Sequence, residues 1–430
     1  MSGRGFSIGL RAALAIFTVT LCVTTTWAQA PWERVLYSFN YGANGWDPEG
    51  SLVLDARGNL YGTTNFGGLP NCACGTVFQL SHKVGGGWME TVLHSFNNAD
   101  GAYPSAGLIF DAAGHLYGTT QNGGAYGLGT VFQLRQQGVR IWTEKVLHSF
   151  SGPDGINPNG PLIFDAAGNL YGTSRLGGVG PCTNGCGTVF ELSPETDGGW
   201  TEKVLHSFSG TDGAFPLGSL ISDAAGNLYG TTEGGGETTS SSSSGCANPG
   251  GPNGCGVVFE LSAEAGREWT EKVLYTPNDA DFAIPGASLI LDTAGNLYGT
   301  TSNSGSFWGT VFELSPEAGG GWTETVLHSF NDYVNLYGGL IFDAAGNLYG
   351  TTLGTFNSLG TVFELSPQAD GTWTETVLHS FDPNCHHDGV DPTSGLIMDT
   401  RGNLYGTTVR GGAYPGVEGD GYGTVYEIVR

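Results

Sequence analysis

The tripeptide Leu-Tyr-Gly occurs seven times in this 430-residue chain, and this repetition limits the possible folds more than any other feature. Successive copies are separated by 51 to 69 residues. A repeat array folds as one continuous unit, so a chain of this length need not divide into several domains. The tyrosines of the seven copies are Tyr61, Tyr117, Tyr171, Tyr229, Tyr298, Tyr349 and Tyr405.

Four short segments recur in each repeat, and all four have the character of β-strands. In the sixth repeat they are residues 340–343, 347–352, 360–365 and 373–381. Each segment is rich in β-branched and aromatic residues and is bounded by Gly, Asn, Asp or Pro. The 74 glycines and the 13% of charged residues also favour short strands and tight turns over helices. The sequence therefore predicts an all-β protein with four strands per repeat.

One four-stranded unit cannot bury both faces of its sheet, so neighbouring units must stack. Radial stacking gives a seven-bladed β-propeller of four-stranded antiparallel blades, which leaves only short sheet edges. Residues 32–39 copy the fourth strand and residues 423–428 copy the third. We therefore expect the N-terminal strand to complete the last blade and close the ring.

A different phase of the repeat also fits the pattern. In that phase the Val-Leu-His-Ser-Phe segment is the first strand of each blade, and no strand has to close the ring. In both phases the loop before Leu-Ile-Phe-Asp and the loop before Gly-Thr-Val-Phe lie on the same face, because antiparallel strands alternate in direction.

The first 30 residues resemble an export signal. Arg4 and Arg11 precede an apolar run over residues 12–23, and small residues follow at Ala28 and Ala30. This pattern predicts a signal peptide over residues 1–30, cut after Ala28 or Ala30, and a single propeller domain over residues 31–430. No later stretch is long and apolar enough for a transmembrane helix. We expect a secreted or periplasmic monomer.

The net charge of −25 constrains the partners. It becomes about −27 without the two signal-peptide arginines, and no cluster of Lys or Arg interrupts it. Such a surface repels phosphate backbones, so nucleic acid is excluded as a partner.

The string Asp-Ala-Ala-Gly-Asn-Leu-Tyr-Gly-Thr-Thr at residues 343–352, followed by Gly-Thr-Val-Phe at 360–363, resembles the GloVer tandem repeat. That family comprises bacterial secreted proteins with a choice of C-terminal anchor. The resemblance covers nearly all of the chain after residue 30 and implies an exported repeat protein. It implies no reaction and no functional residues. The chain ends at Arg430, soon after the last repeat, so we expect free secretion rather than surface anchoring.

Residues that recur once per repeat are interpreted as structural. Seven aspartates precede the turn glycines, where a short acceptor takes backbone N–H bonds. Five histidines share one strand position with two tyrosines, which indicates hydrogen-bonded packing rather than a metal ligand or a general base. The aspartates are Asp55, Asp111, Asp165, Asp223, Asp292, Asp343 and Asp399, and the histidines are His94, His148, His206, His328 and His379.

Seven cysteines remain after the signal segment, and most of them form pairs within one loop. Cys182 with Cys186, and Cys246 with Cys255, are predicted to form disulfides in an oxidising compartment. A bridge between Cys72 and Cys74 would close a very small ring, so Cys385 is an alternative partner for one of those thiols. Zinc binding is the competing interpretation, although no Cys-x-x-Cys pairs are present.

Two departures from the repeat are candidate ligand sites. The loop with Cys385, His386, His387 and Asp388 contains donor groups suited to a transition metal, although it also fits an ordinary polar loop. The second group consists of loop aromatics from the fifth and sixth repeats, which suit the apolar faces of sugar rings. These aromatics are Phe282, Phe307, Trp308, Tyr333 and Tyr337.

No motif of a known catalytic class occurs in the sequence. The leading hypothesis is a non-catalytic secreted protein that binds an extracellular polysaccharide or protein through one loop face of the propeller. One alternative is a secreted propeller enzyme, a carbohydrate lyase or hydrolase with carboxylates at the central opening. Another is a purely architectural envelope protein. No cofactor is predicted, and the carboxylates are compatible with a bound divalent cation.

Overall fold

The structure, a computed structural model, describes residues 31–138, 141–236, 254–263, 268–277, 284–302, 309–330, 334–354, 359–382, 387–416 and 421–430. These residues form strands β1 to β33, numbered in chain order, and contain no helix. It follows that no helix in these ranges is suited to crossing a membrane. The fold is a seven-bladed β-propeller of four-stranded antiparallel blades, as the repeat predicts.

The two inner strands of each blade come from the segments around Leu-Tyr-Gly. The innermost strands are β2 (Val53–Leu54), β6 (Ile109–Phe110), β11 (Ile163–Phe164), β16 (Ile221–Ser222), β21 (Ile290–Leu291), β25 (Ile341–Phe342) and β30 (Ile397–Met398). The second strands are β3 (Leu60–Thr64), β7 (Leu116–Thr120), β12 (Leu170–Leu176), β17 (Leu228–Gly234), β22 (Leu297–Ser302), β26 (Leu348–Thr352) and β31 (Leu404–Thr408).

The third and fourth strands extend each blade outward. The third strands are β4 (Thr76–His82), β8 (Thr130–Gly138), β13 (Thr188–Pro194), β18 (Val258–Ala263), β23 (Thr310–Pro316), β27 (Thr361–Pro367) and β33 (Thr424–Val429). The fourth strands are β5 (Trp88–Ser95), β9 (Ile141–Ser149), β14 (Trp200–Ser207), β19 (Trp269–Tyr275), β24 (Trp322–Ser329), β28 (Trp373–Ser380) and β1 (Trp32–Ser38).

Ring closure follows the prediction from the chain ends. Strand β1 pairs antiparallel with β33, with Trp32 opposite Val429 and Ser38 opposite Thr424. The seventh blade therefore has the order β1-β33-β31-β30. The alternative phase, in which the Val-Leu-His-Ser-Phe segment begins a blade, is wrong because β1 pairs with the last blade and not with β2.

Short additional strands lie in the loops before the innermost strands. They are β10 (Ile156–Pro158), β15 (Ala214–Pro216), β20 (Ile284–Pro285) and β29 (Gly389–Val390), with β32 (Arg410–Gly411) as the partner of β29. The first three pair with the far ends of β12, β17 and β22. These pairings hold the loops of one face against the blade ends.

The hydrophobic core is distributed over the blade junctions. Each of seven clusters among the described residues combines side chains from two neighbouring blades. At the closing junction Phe39 lies 5.2 Å from Phe78, centroid to centroid. The next junction repeats the contact between Phe96 and Phe132 at 5.1 Å. Burial of these phenylalanine side chains stabilises the packing of neighbouring blades.

The glycine of Leu-Tyr-Gly is explained by packing within the blade. A Cβ at Gly172 would lie 2.6 Å from Phe190 Cζ and 2.8 Å from Leu162 Cδ2. The equivalent glycines of five other repeats meet the same two kinds of side chain, and Gly406 of the seventh repeat meets Tyr426. Any larger residue at this position would push the second strand away from its neighbours.

The repeated aspartates form the turns that the sequence predicts. Asp165 Oδ1 accepts hydrogen bonds from the backbone N–H groups of Ala167 and Asn169, each at 2.8 Å. Its Oδ2 accepts from Asn169 Nδ2 at 2.8 Å and from Tyr171 Oη at 3.2 Å. The other six aspartates make the same contacts, with His115 replacing the asparagine once. These residues are structural.

Candidate ligand site at the mouth of the central opening

Segments from all seven blades converge on one cavity at the end of the innermost strands. The cavity has a volume of about 260 Å³ and is open to solvent. Each blade contributes the stretch that immediately precedes its innermost strand, and one position in each stretch lines the opening. The residues at that position are Glu49, Ser105, Asn159, Leu217, Gly286, Tyr337 and Thr393. We call this position the mouth position.

Backbone geometry holds these stretches in place. Five of the residues two places before the mouth position have a positive φ of 59° to 63°, and a proline follows each of them. In the fourth blade this residue, Phe215, donates its backbone N–H to the carbonyl of Cys186 in the third blade at 2.8 Å. Tyr103 makes the same bond to Cys74 of the preceding blade at 2.8 Å. The mouth stretches are therefore anchored to neighbouring blades, which favours a preformed cavity.

A hydrogen-bonded group of uncharged side chains lies on one side of the mouth. Gln121 Nε2 donates to Ser105 Oγ at 2.7 Å and to Asn159 Oδ1 at 2.8 Å. Ser105 Oγ also donates to Asn159 Oδ1. Each carboxamide has two donor hydrogens and acceptor lone pairs, and these contacts use only part of that capacity. The group can therefore both donate to and accept from a polar ligand.

An ion pair lies in the third and fourth blades beside the mouth. Arg175 Nη2 donates to Glu233 Oε2 at 3.1 Å, and the Arg175 guanidinium lies 5.7 Å from the centre of the Phe215 ring. Burial raises the pKa of Glu233, although the charge and hydrogen bond of Arg175 act in the opposite direction. Burial raises the pKa of Tyr337, which is 45% exposed, and the negative charge of the nearby Glu233 adds to the effect. The pair places both charges near an accessible aromatic ring.

Two further carboxyl groups lie in the mouth stretch of the first blade, the residues that precede its innermost strand. Burial raises the pKa of Glu49 to about 7, and the charge of Asp47 adds to the effect. Burial also raises the pKa of Asp47 to about 6, against the opposing effects of the Asn65 side chain and Arg410. Glu49 is thus half-protonated near neutral pH and can either donate or accept a proton there.

Some polar atoms at and near the mouth lack partners. Thr393 Oγ1, in the seventh mouth stretch, is buried and has no hydrogen-bond partner among the described residues. The same holds for Oδ1 of Asn65, the residue that interacts with Asp47. Buried polar atoms are usually hydrogen-bonded, so these two are available to a ligand or to ordered water.

A second set of polar residues lies between the fourth strands of adjacent blades. At four junctions a histidine of one blade, an aspartate of the following loop and a glutamate of the next blade approach one another, with one ligand atom of each within 4.8 Å of the others. We call these sets the junction triads. They are His94, Asp100 and Glu144; His148, Asp154 and Glu202; His206, Asp212 and Glu271; and His379, Asp388 and Glu33.

The predicted aromatic group is only partly described. Tyr337 occupies the mouth position of the sixth blade. Phe282, Phe307, Trp308 and Tyr333 lie outside the described residues, so their part in a ligand site stays a prediction.

The predicted metal loop is also only partly described. Cys385 and His386 lie outside the described residues, and His387 has a positive φ of 84°. Asp388 is buried and lies 3.2 Å from His379 Nε2, within a junction triad. A metal bound by all four loop residues stays a prediction.

The cysteine pairs within loops are largely as predicted. Cys182 and Cys186 form a disulfide. Cys255 is also disulfide-bonded, whereas its predicted partner Cys246 lies outside the described residues. Cys72 and Cys74 are bonded to each other, and therefore neither thiol is paired with Cys385. The bridge between Cys72 and Cys74 forms although it closes a very small ring.

Most mouth residues were not identified from the sequence. The available signal was the alignment of the repeats, in which the mouth position holds Glu, Ser, Asn, Leu, Gly, Tyr and Thr, after a proline in six repeats and before a small residue in all seven. A position that varies within a regular scaffold is typical of a site of recognition. The junction triads were missed because their members come from different blades.

The fold, with a polar cavity built from the loops of all its blades, defines the class as a seven-bladed propeller repeat protein. The Gloeobacter/Verrucomicrobia repeat family matches residues 15–138, 73–244 and 238–430. The chain belongs to this family. No curated protein matches the chain in sequence.

Several solved structures resemble the chain at low identity. A putative gluconolactonase is 15% identical, with a TM-score of 0.41 over 82% of this chain and 94% of its own. A gluconolactonase from Xanthomonas campestris is 15% identical, with a TM-score of 0.42 over 75% of this chain and 87% of its own. A protein of unknown function from Dyadobacter fermentans is 12% identical, with a TM-score of 0.44 over 93% and 99%. Likenesses of this size say nothing about the activity of this chain.

Proposed function

We propose that this protein is an exported, non-catalytic propeller that binds a carbohydrate at the mouth of its central opening. The observation that carries the proposal is the convergence of the seven mouth positions on one polar cavity. Its volume of about 260 Å³ is close to the lower end of the range for small-molecule sites, roughly 300 Å³. A cavity of this size suits one sugar unit at the end or branch of a polysaccharide.

The polar groups match the chemistry of vicinal hydroxyl groups. A sugar hydroxyl both donates and accepts hydrogen bonds, and planar amide, carboxylate and guanidinium groups can engage two neighbouring hydroxyls. The amides of Gln121 and Asn159 belong to the second and third blades, and Arg175 with Glu233 belongs to the third and fourth. Such a mixture suits a neutral polyhydroxylated ligand better than a strongly charged one.

The aromatic ring of Tyr337 supplies the apolar component. Its side chain is 45% exposed at the mouth position of the sixth blade. The C–H face of a sugar ring can pack on such a ring while its hydroxyls reach the polar groups. This arrangement supports the sugar platform expected from the loop aromatics.

Export is part of the proposal. The N-terminal segment with Arg4, Arg11 and Ala30 has the pattern of a signal peptide. The disulfides Cys72–Cys74 and Cys182–Cys186 suit an oxidising compartment. N-terminal sequencing of the protein recovered from the culture medium or periplasm would test the cleavage after Ala28 or Ala30. An intact N-terminus in the cytoplasm would contradict export.

A glycan array with the untagged chain of residues 31–430 tests the binding function. We expect wild-type protein to bind a restricted set of glycans, and Tyr337→Ala and Asn159→Ala each to weaken that binding at least about tenfold. Tyr126→Ala is the matched control, because Tyr126 is an exposed loop tyrosine that does not line the mouth. Binding that neither mouth variant changes, or no binding to any glycan, would contradict the proposal and favour an architectural role.

Catalysis at the same mouth is the second candidate function, and Glu49 is the observation that favours it. A carboxyl group with a pKa of about 7 can act as a general acid near neutral pH. A panel of polysaccharides would then release reducing or unsaturated ends. Glu49→Gln should abolish that release, because glutamine keeps the size of the side chain but cannot supply the proton. Absence of product from every glycan that the protein binds would exclude this candidate.

A further inference from the structure

The junction triads are independent of the mouth, because they lie between the fourth strands at the opposite edge of each blade. Each triad takes its histidine and aspartate from one blade and its glutamate from the next, as His148, Asp154 and Glu202 do. Anything that binds all three groups therefore links two blades. The same arrangement recurs at four described junctions.

Histidine and aspartate are in direct contact within each triad. The distance from the histidine Nε2 to the aspartate Oδ2 is 2.9 Å for His148 and Asp154 and 3.0 Å for His206 and Asp212. In the remaining two triads it is 3.3 Å and 3.2 Å. A tetrahedral ion with bonds of about 2.0 Å holds its ligand atoms roughly 3.3 Å apart. The existing separations need little change to accommodate one.

The aspartate is orientated by the backbone. Asp154 Oδ1 accepts the backbone N–H of Ser151 at 2.8 Å, and Asp212 Oδ1 accepts that of Ser209 at 2.8 Å. Each aspartate thus keeps its Oδ2 directed towards the histidine. Outer hydrogen bonds of this kind are typical of metal ligands, since they fix the ligand before the ion arrives.

The glutamate supplies an unused ligand atom. In all four triads the glutamate Oε1 is buried and has no hydrogen-bond partner among the described residues. Burial also raises the pKa of these carboxyl groups to about 7, as for Glu202, where the charge of Asp154 adds to the effect. A carboxylate oxygen that is buried without a partner is costly, and a cation bound to it would remove that cost.

We propose that each junction triad binds a divalent transition-metal ion of the zinc type through the histidine Nε2, one aspartate oxygen and one glutamate oxygen. One imidazole nitrogen with two carboxylates suits Zn²⁺, whereas Ca²⁺ and Mg²⁺ prefer oxygen ligands alone. Water completes the tetrahedron. Bound ions join successive blades, so the metal stabilises the closed ring.

The closing junction provides a natural control. There Tyr37 replaces the histidine and Asn44 replaces the aspartate, and Asn44 Nδ2 donates to Tyr37 Oη at 3.0 Å. The glutamate is retained as Glu90, and its Oε1 is again buried without a partner among the described residues. Only one metal ligand remains at this junction, so it should not bind the ion. The chain itself shows that a Tyr and Asn pair is compatible with the fold.

Titration of the untagged, chelator-treated chain of residues 31–430 with Zn²⁺ in a calorimeter tests the proposal. We expect one ion for each of the four described triads, and a higher melting temperature in the presence of Zn²⁺. Ca²⁺ and Mg²⁺ should neither bind at these sites nor displace Zn²⁺. Equal binding of Ca²⁺, or no binding of Zn²⁺, would overturn the proposal.

Matched variants assign the ions to the triads and not to exposed loops. His148→Tyr combined with Asp154→Asn should lower the stoichiometry by one, and Glu202→Gln should do the same with a smaller structural change. Tyr37→His combined with Asn44→Asp should raise it by one by completing a triad with Glu90. An unchanged stoichiometry in both loss variants, with cooperative unfolding retained, would show that the ions bind elsewhere.

Discussion

Trp32 pairs with Val429, so the first strand and the last strand of the described chain share one antiparallel ladder. The blade that they complete packs on the first blade through Phe39 and Phe78. Closure therefore joins residues almost 400 positions apart. Its contribution to the free energy of unfolding can be measured by substituting single side chains at this junction.

Phe39→Ala should destabilise the propeller by about 3–5 kcal/mol, because Phe39 is fully buried at the closing junction. Phe96→Ala is the matched control, because Phe96 makes the equivalent contact with Phe132 between the first two blades. Denaturant unfolding would measure both. If the closing junction is as strong as an internal one, the two free energies of unfolding fall by similar amounts. A much smaller loss for Phe39→Ala would mean that the ring opens independently of global unfolding.

Gly172→Ala should cost about 1–3 kcal/mol, because the added methyl would collide with Phe190 and Leu162. Gly319→Ala serves as the control, since a Cβ at Gly319 has no atom within 4 Å. Thermal unfolding of the two variants would separate packing from a general effect of alanine. Equal melting temperatures would contradict the packing explanation for the Leu-Tyr-Gly motif.

The stability of the metal-free protein should fall as the pH rises from about 5 to 8. Burial raises the pKa of five fourth-strand glutamates to about 7, above the 4.5 of the unfolded chain. Between these values the folded state binds more protons than the unfolded state, so raising the pH favours unfolding, and the effect levels off above about 7. The residues are Glu33, Glu90, Glu144, Glu202 and Glu271.

Unfolding in chelator at several pH values would test this dependence. Glu202→Gln should match wild type near pH 5 and be more stable than wild type at pH 8, because glutamine carries no charge to desolvate. The exposed Glu268→Gln should leave the profile unchanged. A stability that rises with pH over this window would contradict the assignment.

The turn aspartates should determine how the free energy of unfolding decreases at acid pH. Burial acts to raise the pKa of Asp165, but its hydrogen bonds outweigh that effect and hold the pKa below the usual value. The stabilisation is present above the unfolded pKa of 3.8 and is lost as the pH falls through the lower, folded value. The other six turn aspartates shift in the same direction.

Asp165→Asn should cost about 1–2 kcal/mol at neutral pH, because an amide N–H₂ would face donors at Asn169 and Tyr171. The loss should shrink as the pH falls through the lowered pKa of Asp165, because the aspartate of the wild type is then protonated. Asp197→Asn is the control, since this exposed aspartate accepts a single backbone bond from Gly199 at 2.8 Å. Chemical unfolding at pH 7 and at acid pH would show whether the difference disappears.

Sequence alone determined the architecture, because the evidence for it is local and repeated. Strand patterning, turn residues such as Asp165 and the strand copies at both ends predicted four-stranded blades and the pairing of β1 with β33. The bond between Cys182 and Cys186 was predicted for the same reason, since both cysteines lie in one short loop.

Only the tertiary structure decided the candidate sites. Glu49, Asn159 and Tyr337 meet at one mouth because the closed ring brings one stretch of each blade to the same axis. His148 and Glu202 meet because adjacent blades pack at one particular angle and register. Neither relation is encoded in local spacing, since each depends on how separate sheets pack against one another after each has formed.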